Sequence, residues 1–400
     1  MALTLDPAHL ERIRAWQRRD VGTRYRGSAV LLVQNGDEAF FHAQGEARNG
    51  VPWARDTIVR IYSMTKPMVS LVAMQLVEEG AFHLDAPVSR FLPGWEAMRT
   101  LAGEPVPAPT LHQLLTHTSG LSYAFNPGPL GPVYGRAGVD FGPGGGKAGD
   151  GVGEGAAVGA TDRGGDLAAM CARLAAQPLA FRPGTAGEYS VGIDVVGRVI
   201  EVVTGKRLDA VMTARVFEPL GLTDTAFHVP DAKLDRLADC FAWTPDDPTA
   251  PYDAGADSMF REGRVRLHSG GGGLLSTIDD VARFAACLAG RGERLVSPST
   301  LAFMRANHLP GDIASMGTAS FAEMPMRGMG FGIGGACVLD AGRMGVPGSV
   351  GDFGWGGMAS TYFWCDPVHA IECVFLAQLV PSSAHPNRAE LKALVHGSLK

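Results

Sequence analysis

The hydrophobic positions near the N-terminus predict a helix followed by a β-hairpin. Residues 8–20 mix charged and apolar positions as a surface helix does, and the apolar, β-branched run 29–33 is typical of a strand. Asn35-Gly36 separates this run from a second apolar run at 39–43. Asn-Gly between two such runs is the strongest short-range hairpin signal, so we predict two antiparallel strands here.

The next apolar stretch, residues 67–79, is closed by Gly80 and predicts a helix that is buried on nearly all sides. Proline is tolerated only in the first turn of a helix, so Pro67 places the start at or very near Ser63. Helical periodicity then dominates the middle of the chain. We predict helices at 110–117 (capped by Thr110), 166–176, 192–204, 208–217 and 278–289 (capped by Ser276 or Thr277).

The last third of the chain alternates strand-like runs with turns. We predict strands at 331–334, 360–364 and 371–376, and a final helix at 387–399. Strands at both ends with helices between them indicate an α/β (α+β) fold. The expected division is a sheet domain formed by residues 1–84 and 268–400, and a mainly helical domain formed by residues 85–267.

One segment of that helical domain is expected to be a long loop. Residues 126–165 contain 15 glycines and 4 prolines among 40 residues, with too few apolar side chains to fold alone.

The composition of the chain limits the cellular compartment and the binding partners that we expect. The 400-residue chain carries a net charge of −6 from 35 basic and 41 acidic residues, with no basic run, so neither nucleic acid nor a membrane surface is an expected partner. No apolar run of about 18 residues exists, and the N-terminus lacks the layout of a signal peptide. The six scattered cysteines are typical of free thiols. We expect a cytoplasmic protein that acts on a small molecule; the sequence predicts no oligomeric state.

Ser63-Met64-Thr65-Lys66 is the strongest chemical signal. It places a hydroxyl and an amine on one helical face, where the serine can act as nucleophile and the lysine can accept its proton. To do so near neutral pH, the lysine pKa must fall by about three units from 10.4, which burial can achieve. The alternative is a chance pattern on a solvated face. The apolar residues that follow favour a buried lysine.

Two further segments are weaker candidates on local evidence. Tyr189 lies in a turn-rich approach to an apolar helix, where its hydroxyl could share a proton with a lysine or remain a core tyrosine. The Gly-rich segment 353–358 could supply a backbone N–H to an oxyanion hole or form a simple bend. No metal or cofactor is expected. His-Glu-x-x-His is absent, and the glycines 270–273 are not followed by Lys-Ser/Thr.

Five collinear strings together resemble the serine β-lactamase-like superfamily, and more narrowly the class C β-lactamase-like carboxylesterases (family VIII esterases). They are listed here in chain order: residues 56–67, which contain the nucleophile motif; Leu84-Asp85-Ala86-Pro87-Val88 with Leu92-Pro93; Leu114-Leu115-Thr116-His117-Thr118-Ser119-Gly120-Leu121; residues 183–190; and residues 271–280. The resemblance implies a β-lactamase/D,D-peptidase-like fold, with an antiparallel sheet, flanking helices and an inserted helical domain.

The resemblance also implies roles for individual residues. The catalytic trio falls on Ser63, Lys66 and Tyr189, and the backbone N–H groups of Ser63 and Met358 would form the oxyanion hole. The remaining residues are expected to bind substrate: Trp355, Gly356, Gly357, Tyr123 and Phe125.

Two departures from the lactamase pattern favour esters over lactams. The Tyr-x-Asn motif of lactamases is Tyr189-Ser190-Val191 here, and Lys-Thr-Gly is Trp355-Gly356-Gly357. Tryptophan removes a charge-assisted contact for the lactam carboxylate and is expected to form an apolar wall that crowds the pocket. The leading interpretation is a serine carboxylesterase for small or short-chain esters. The alternatives are a β-lactamase or amide hydrolase, an acyltransferase, and a non-catalytic binding homologue.

Overall fold

The computed structural model of the protein describes residues 3–139, 165–247, 250–317 and 327–400. The strands given next lie within these ranges. In chain order they are β1 (Gly27–Gln34), β2 (Asp37–Arg48), β3 (Val51–Pro52), β4 (Val59–Arg60), β5 (Cys240–Ala242), β6 (Ala250–Asp253), β7 (Leu275–Ser276), β8 (Met329–Phe331), β9 (Ala336–Val338), β10 (Phe353–Gly357), β11 (Thr361–Asp366), β12 (Ile371–Ala377) and β13 (Leu379–Val380).

The helices of the same ranges surround these strands. They are α1 (Pro7–Asp20), α2 (Thr65–Glu78), α3 (Leu111–Leu115), α4 (Leu130–Arg136), α5 (Leu167–Ala175), α6 (Gly192–Thr204), α7 (Leu208–Met212), α8 (Glu218–Leu220), α9 (Ile278–Leu288), α10 (Pro298–Arg305), α11 (Ala341–Met344) and α12 (Asn387–His396).

The central sheet has eight strands in the order β3-β2-β1-β12-β11-β10-β9-β8, and every neighbouring pair is antiparallel. Strand β1 from the N-terminus pairs with β12 from the C-terminus, with Leu31 opposite Val374. The predicted sheet built from both ends of the chain is therefore confirmed. Strands β5 and β6 join β13 in a separate small sheet, so residues 85–267 are not all helical. The domain boundaries themselves stay a prediction.

The predicted hairpin is present between β1 and β2. Asn35 and Gly36 have φ values of 55° and 91°, and two consecutive positive φ values are what a tight two-residue hairpin turn requires.

Helix α2 begins at Thr65, after a 3₁₀ turn that spans Tyr62–Met64. Pro67 is the third residue of the helix, where its missing N–H breaks no intrahelical bond. The helix packs against α6 and the turn before it, and its side chains are buried almost throughout. The predicted buried helix with Ser63 at its entrance is confirmed.

Several predicted boundaries differ from the structure. The segment expected to be a loop contains helix α4, and residues 140–164 of that segment lie outside the described ranges. The helix expected at 208–217 is α7, followed by a π-helical turn, Thr213–Phe217, and α8. The last helix ends at His396, and Gly397 is its C-cap residue. Helix α10 was not predicted, although Ser297-Pro298 at its start is a recognisable N-terminal signal.

All six cysteines are buried and unpaired, as predicted. Within the described ranges, no helix has the length and apolar character needed to cross a bilayer.

Candidate active site

Ser63 and Lys66 lie together at the entrance to α2. Ser63 is half-buried in the 3₁₀ turn, and Lys66 is fully buried in the first turn of the helix. The Lys66 ammonium donates hydrogen bonds to Ser63 Oγ at 3.1 Å and to the Gly271 carbonyl at 2.6 Å. The structure therefore brings the predicted nucleophile and its proton acceptor into direct contact.

Burial determines the charge state of Lys66. Removal from water lowers its pKa to about 7, against the opposing attraction of the Asp194 carboxylate. Its amine lies 4.5 Å from the ring centroid of Tyr189 and 5.3 Å from that of Tyr123. A substantial fraction of the Lys66 amine is therefore neutral at physiological pH and able to accept a proton.

A buried carboxylate positions the carbonyl that holds Lys66. Asp194 Oδ1, on α6, accepts hydrogen bonds from the Ser269 hydroxyl at 2.5 Å and the Gly271 N–H at 3.0 Å. A β-carbon on Gly271 would come within 2.4 Å of Asp194 Oδ2 and 3.0 Å of the Tyr123 hydroxyl. Sequence reasoning missed this unit; an aspartate inside the apolar helix 192–204 was the available signal.

Tyr189 is buried and fixed at both ends. Its hydroxyl oxygen accepts a 3.0 Å hydrogen bond from Trp355 Nε1, and its backbone carbonyl accepts one of 2.7 Å from Asn126 Nδ2. The His117 ring packs on the Tyr189 ring with centroids 4.6 Å apart. His117 Nδ1 lies 3.1 Å from the hydroxyl of the next residue, Ser190. These contacts hold the Tyr189 ring beside the Lys66 amine, 4.5 Å away.

Trp355, which is expected to form an apolar wall of the pocket, is buried in the structure. Its side chain is 1% exposed and packs edge-on against Phe331, with Tyr189 on its other side. A buried indole N–H needs a partner, and the Tyr189 hydroxyl supplies it. Trp355 therefore holds the hydroxyl of Tyr189, a predicted catalytic residue. The sequence position of Trp355 did not predict this contact.

The end of β10 lies against the turn that carries Ser63. A β-carbon on Gly357 would come within 2.2 Å of the Ile61 carbonyl oxygen, two residues before Ser63. Met358 follows in the turn after β10 rather than on a strand, and it is half-buried. At Gly356, the space that a side chain would need is filled by the guanidinium of Arg388 from α12. This glycine therefore allows α12 to pack closely.

Tyr123 and Phe125 form a stacked pair beside Lys66. Their ring centroids are 4.7 Å apart with an interplanar angle of 14°. Tyr123 is buried, whereas Phe125 is 37% exposed and offers an apolar surface to solvent. Of the five predicted substrate-binding residues, Phe125 is the one with a large exposed side chain.

Comparisons with known proteins find that the chain is similar to esterases and acyltransferases. The family "Beta-lactamase" matches residues 13–397. Esterase EstB of Burkholderia gladioli is 34% identical over 368 residues, covering 88% of this chain and 86% of that protein. The structure of EstCE1, a hydrolase with promiscuous acyltransferase activity, matches with a TM-score of 0.81 and 29% identity over 98% of this chain and 99% of its own. The structure of a mutant of simvastatin synthase (LovD) from Aspergillus terreus matches with a TM-score of 0.76 and 25% sequence identity. The match covers 98% of this chain and 96% of that protein. The predicted β-lactamase-like fold is confirmed.

Proposed function

Because the chain belongs to the β-lactamase family and is a serine hydrolase, an esterase by homology, we propose that it is a carboxylesterase for small or short-chain esters. The acyl group would be carried on Ser63. The observation that carries this proposal is the 3.1 Å contact between Ser63 Oγ and the buried Lys66 amine.

Lys66 would act first, as the proton acceptor for Ser63. With a pKa of about 7, its neutral form accepts the hydroxyl proton as Ser63 Oγ attacks the ester carbonyl. The Gly271 carbonyl holds the amine in place throughout, because its own position is fixed by Asp194. The tetrahedral intermediate then expels the alcohol, leaving an acyl-enzyme that water hydrolyses by the same proton transfers in reverse.

Tyr189 would deliver the proton to the departing alkoxide. Its ring lies beside the Lys66 amine, and the Trp355 N–H stabilises negative charge on its oxygen. A proton can then move from Lys66 to the leaving group by way of a hydroxyl whose charged form is tolerated.

The oxyanion of the intermediate would be held by backbone N–H groups of Ser63 and Met358. The contact of Gly357 with Ile61 keeps the end of β10 adjacent to the nucleophile turn. Two preorganised donors of this kind typically contribute a factor of about 10² to 10³ each in rate.

Two features support esters over β-lactams. Val191 replaces the asparagine that lactamases use, and Trp355 replaces a lysine that would meet a lactam carboxylate. The Trp355 indole is occupied with Tyr189 and offers no positive charge.

The preference for compact acyl groups rests on packing beside Ser63. Lys66 contacts Ser63, and Tyr123 and Tyr189 lie beside the Lys66 amine. All three side chains are buried, which leaves the partly exposed Phe125 as the apolar surface for a short chain. Across p-nitrophenyl esters of increasing acyl length, we expect kcat/KM to be highest for the shortest chains. A rise with chain length up to palmitate would exclude this substrate class.

The nucleophile itself is tested with a matched pair of variants. Ser63→Ala should abolish ester hydrolysis. Ser70→Ala, on the same helix and also buried, should leave it intact, since the Ser70 hydroxyl has no hydrogen-bond partner among the described residues. Equal activity of Ser63→Ala and the wild type would refute the proposed mechanism.

Acyl transfer to an alcohol is the second candidate, and the likeness to EstCE1 favours considering it. The acyl-enzyme is common to both reactions, so the acceptor alone separates them. Adding a competing alcohol at increasing concentration and measuring ester product against free acid gives the partition directly. Predominant ester formation at low alcohol concentration would assign the chain as a transferase.

A further inference from the structure

Three potential metal ligands meet at the end of β11 that lies away from Ser63. They are Asp366 at the end of β11, His369 in the turn before β12 and His396 at the end of α12. One ligand atom from each lies within 4.8 Å of the other two. The opposite end of β11, at Thr361, adjoins Ile61. The cluster is therefore roughly 16 Å along the strand from the nucleophile turn.

Hydrogen bonds fix the position of the Asp366 carboxylate. Its Oδ1 accepts hydrogen bonds from the backbone N–H groups of Val368 at 2.7 Å and His369 at 3.0 Å. Its Oδ2 accepts one from the Ser349 hydroxyl at 2.8 Å. Outer hydrogen bonds that fix a ligating carboxylate are a regular feature of metal sites.

His396 supplies an independent sign of a missing partner. Its side chain is only 9% exposed, yet Nε2 has no hydrogen-bond partner among the described residues. That nitrogen lies 3.9 Å from Asp366 Oδ2 and 3.9 Å from Asp352 Oδ2, too far for a hydrogen bond to either carboxylate. Leaving a buried polar atom unsatisfied is costly, and an ion bound between the two groups would give this nitrogen a partner.

The surrounding charges tolerate a cation. The nearest positive group, Lys392, is paired at 2.5 Å with Asp352, so the Asp366 carboxylate remains to balance an ion. The C-terminal end of α12 adds a partial negative charge next to His396.

An ion has a route to the cluster and room for water. His369 and His396 line an open depression of about 690 Å³, whose other walls include the loop around Gly345 and Gly348. Water entering from this side could complete the coordination of a metal held by three protein ligands.

We infer that Asp366, His369 and His396 bind a divalent transition metal, with Zn²⁺ the best match to one carboxylate and two imidazoles. In tetrahedral coordination the ligand atoms sit about 3.3 Å apart. The three side chains therefore draw together by roughly an ångström, a movement that the turn holding His369 can supply. The ion fastens α12 to the β11–β12 turn and takes no part in the ester chemistry.

The test is Zn²⁺ binding to the full-length protein, measured by competition with a chromophoric chelator, together with the thermal unfolding midpoint. We expect one tightly bound equivalent and a higher midpoint with Zn²⁺. His369→Ala and His396→Gln should each weaken binding at least about tenfold and remove the thermal shift. His83→Ala, which alters an exposed histidine elsewhere, serves as the control and should bind as the wild type does.

Substitution of His369 guards against misfolding as an explanation, because it lies in a surface turn and is less buried than Asp366. Visible d–d bands of Co²⁺ in the wild type, and their loss in His369→Ala, would place the ion at this residue. Absence of stoichiometric binding in the wild type would overturn the inference. So would binding that persists unchanged in both histidine variants.

Discussion

The indole N–H of Trp355 donates a 3.0 Å hydrogen bond to the hydroxyl oxygen of Tyr189, across 166 residues of chain. This bond occupies one lone pair of the tyrosine oxygen and stabilises negative charge there. This hydrogen bond explains how a tryptophan can serve the site at the position where lactamases have a lysine. The donor that supports the predicted proton shuttle is therefore neutral and buried.

Replacing Trp355 with phenylalanine tests that bond. Loss of a hydrogen bond to a developing charge costs about 1.5 to 3 kcal/mol, so we expect kcat for a p-nitrophenyl ester to fall about 10- to 100-fold with a smaller change in KM. Trp364→Phe is the matched control, since its equally buried indole has no hydrogen-bond partner among the described residues. Equal losses in both variants would attribute the effect to packing.

The pH dependence of kcat/KM should report Lys66. Its neutral form is the proton acceptor, so activity should rise with pH through a midpoint near the Lys66 pKa of about 7. Asp194→Asn removes the carboxylate that raises this pKa, and should move the midpoint to lower pH by on the order of one pH unit. The amide oxygen can still accept from Ser269 and Gly271. Asp280→Asn, at another buried aspartate, should leave the midpoint in place. A midpoint unmoved in Asp194→Asn would contradict the assigned role of this carboxylate.

Burying Lys66 should cost stability, and Lys66→Met should recover it. The folded pKa of about 7 lies below the unfolded value near 10.4, so between these pH values the unfolded chain binds more protons. Wild-type stability should therefore rise with pH across this window. At pH 7 the free energy of unfolding of Lys66→Met should therefore exceed that of the wild type. The gain is at most about 4 kcal/mol, less about 1 kcal/mol for each hydrogen bond of Lys66 that the variant loses.

Chemical denaturation at pH 7 and near pH 10 measures this, and the advantage of the variant should shrink at the higher pH. Lys392→Met is the contrasting control. Lys392 is also buried, but the nearby Tyr362 and the ion pair with Asp352 raise its pKa against the effect of burial. Its removal should therefore destabilise the fold by about 3 to 5 kcal/mol. If Lys66→Met is the less stable protein at pH 7, the account of its burial is wrong.

The backbone oxyanion hole can be perturbed through Gly357. A methyl group there would meet the Ile61 carbonyl at 2.2 Å and push the end of β10 away from the Ser63 turn. We expect Gly357→Ala to lower kcat by about 10² to 10³. Gly135→Ala, at a helical glycine with open space around it, should be neutral. Wild-type kcat in a folded Gly357→Ala protein would argue against Met358 as an oxyanion donor.

Local signals were sufficient to predict much of the fold. The Asn35-Gly36 turn, Thr110 and Thr277 as helix caps and the position of Pro67 each act within a few residues, and the structure has all of them. Helix α4 was missed because its two glycines and Pro132 have low helix propensity. Its buried residues Leu130 and Tyr134 favour the helix through packing instead.

The same distinction between local and long-range contacts applies to the candidate site. Ser63 and Lys66 are neighbours in sequence, so their contact followed from helical spacing. The contacts of Trp355 with Tyr189, and of Asp194 with Gly271, join residues 166 and 77 positions apart. No periodicity reports such pairs. The resemblance indicated that Trp355 belongs near the site, but the direction of its indole depends on how β10 packs beneath Tyr189.

The most direct test of the account is the intact mass of the protein quenched in acid during turnover of a slowly deacylated p-nitrophenyl ester. We expect a single acyl adduct that peptide analysis maps to Ser63 and that is absent from Ser63→Ala. Ester turnover without any adduct, or with the acyl group on another residue, would contradict it.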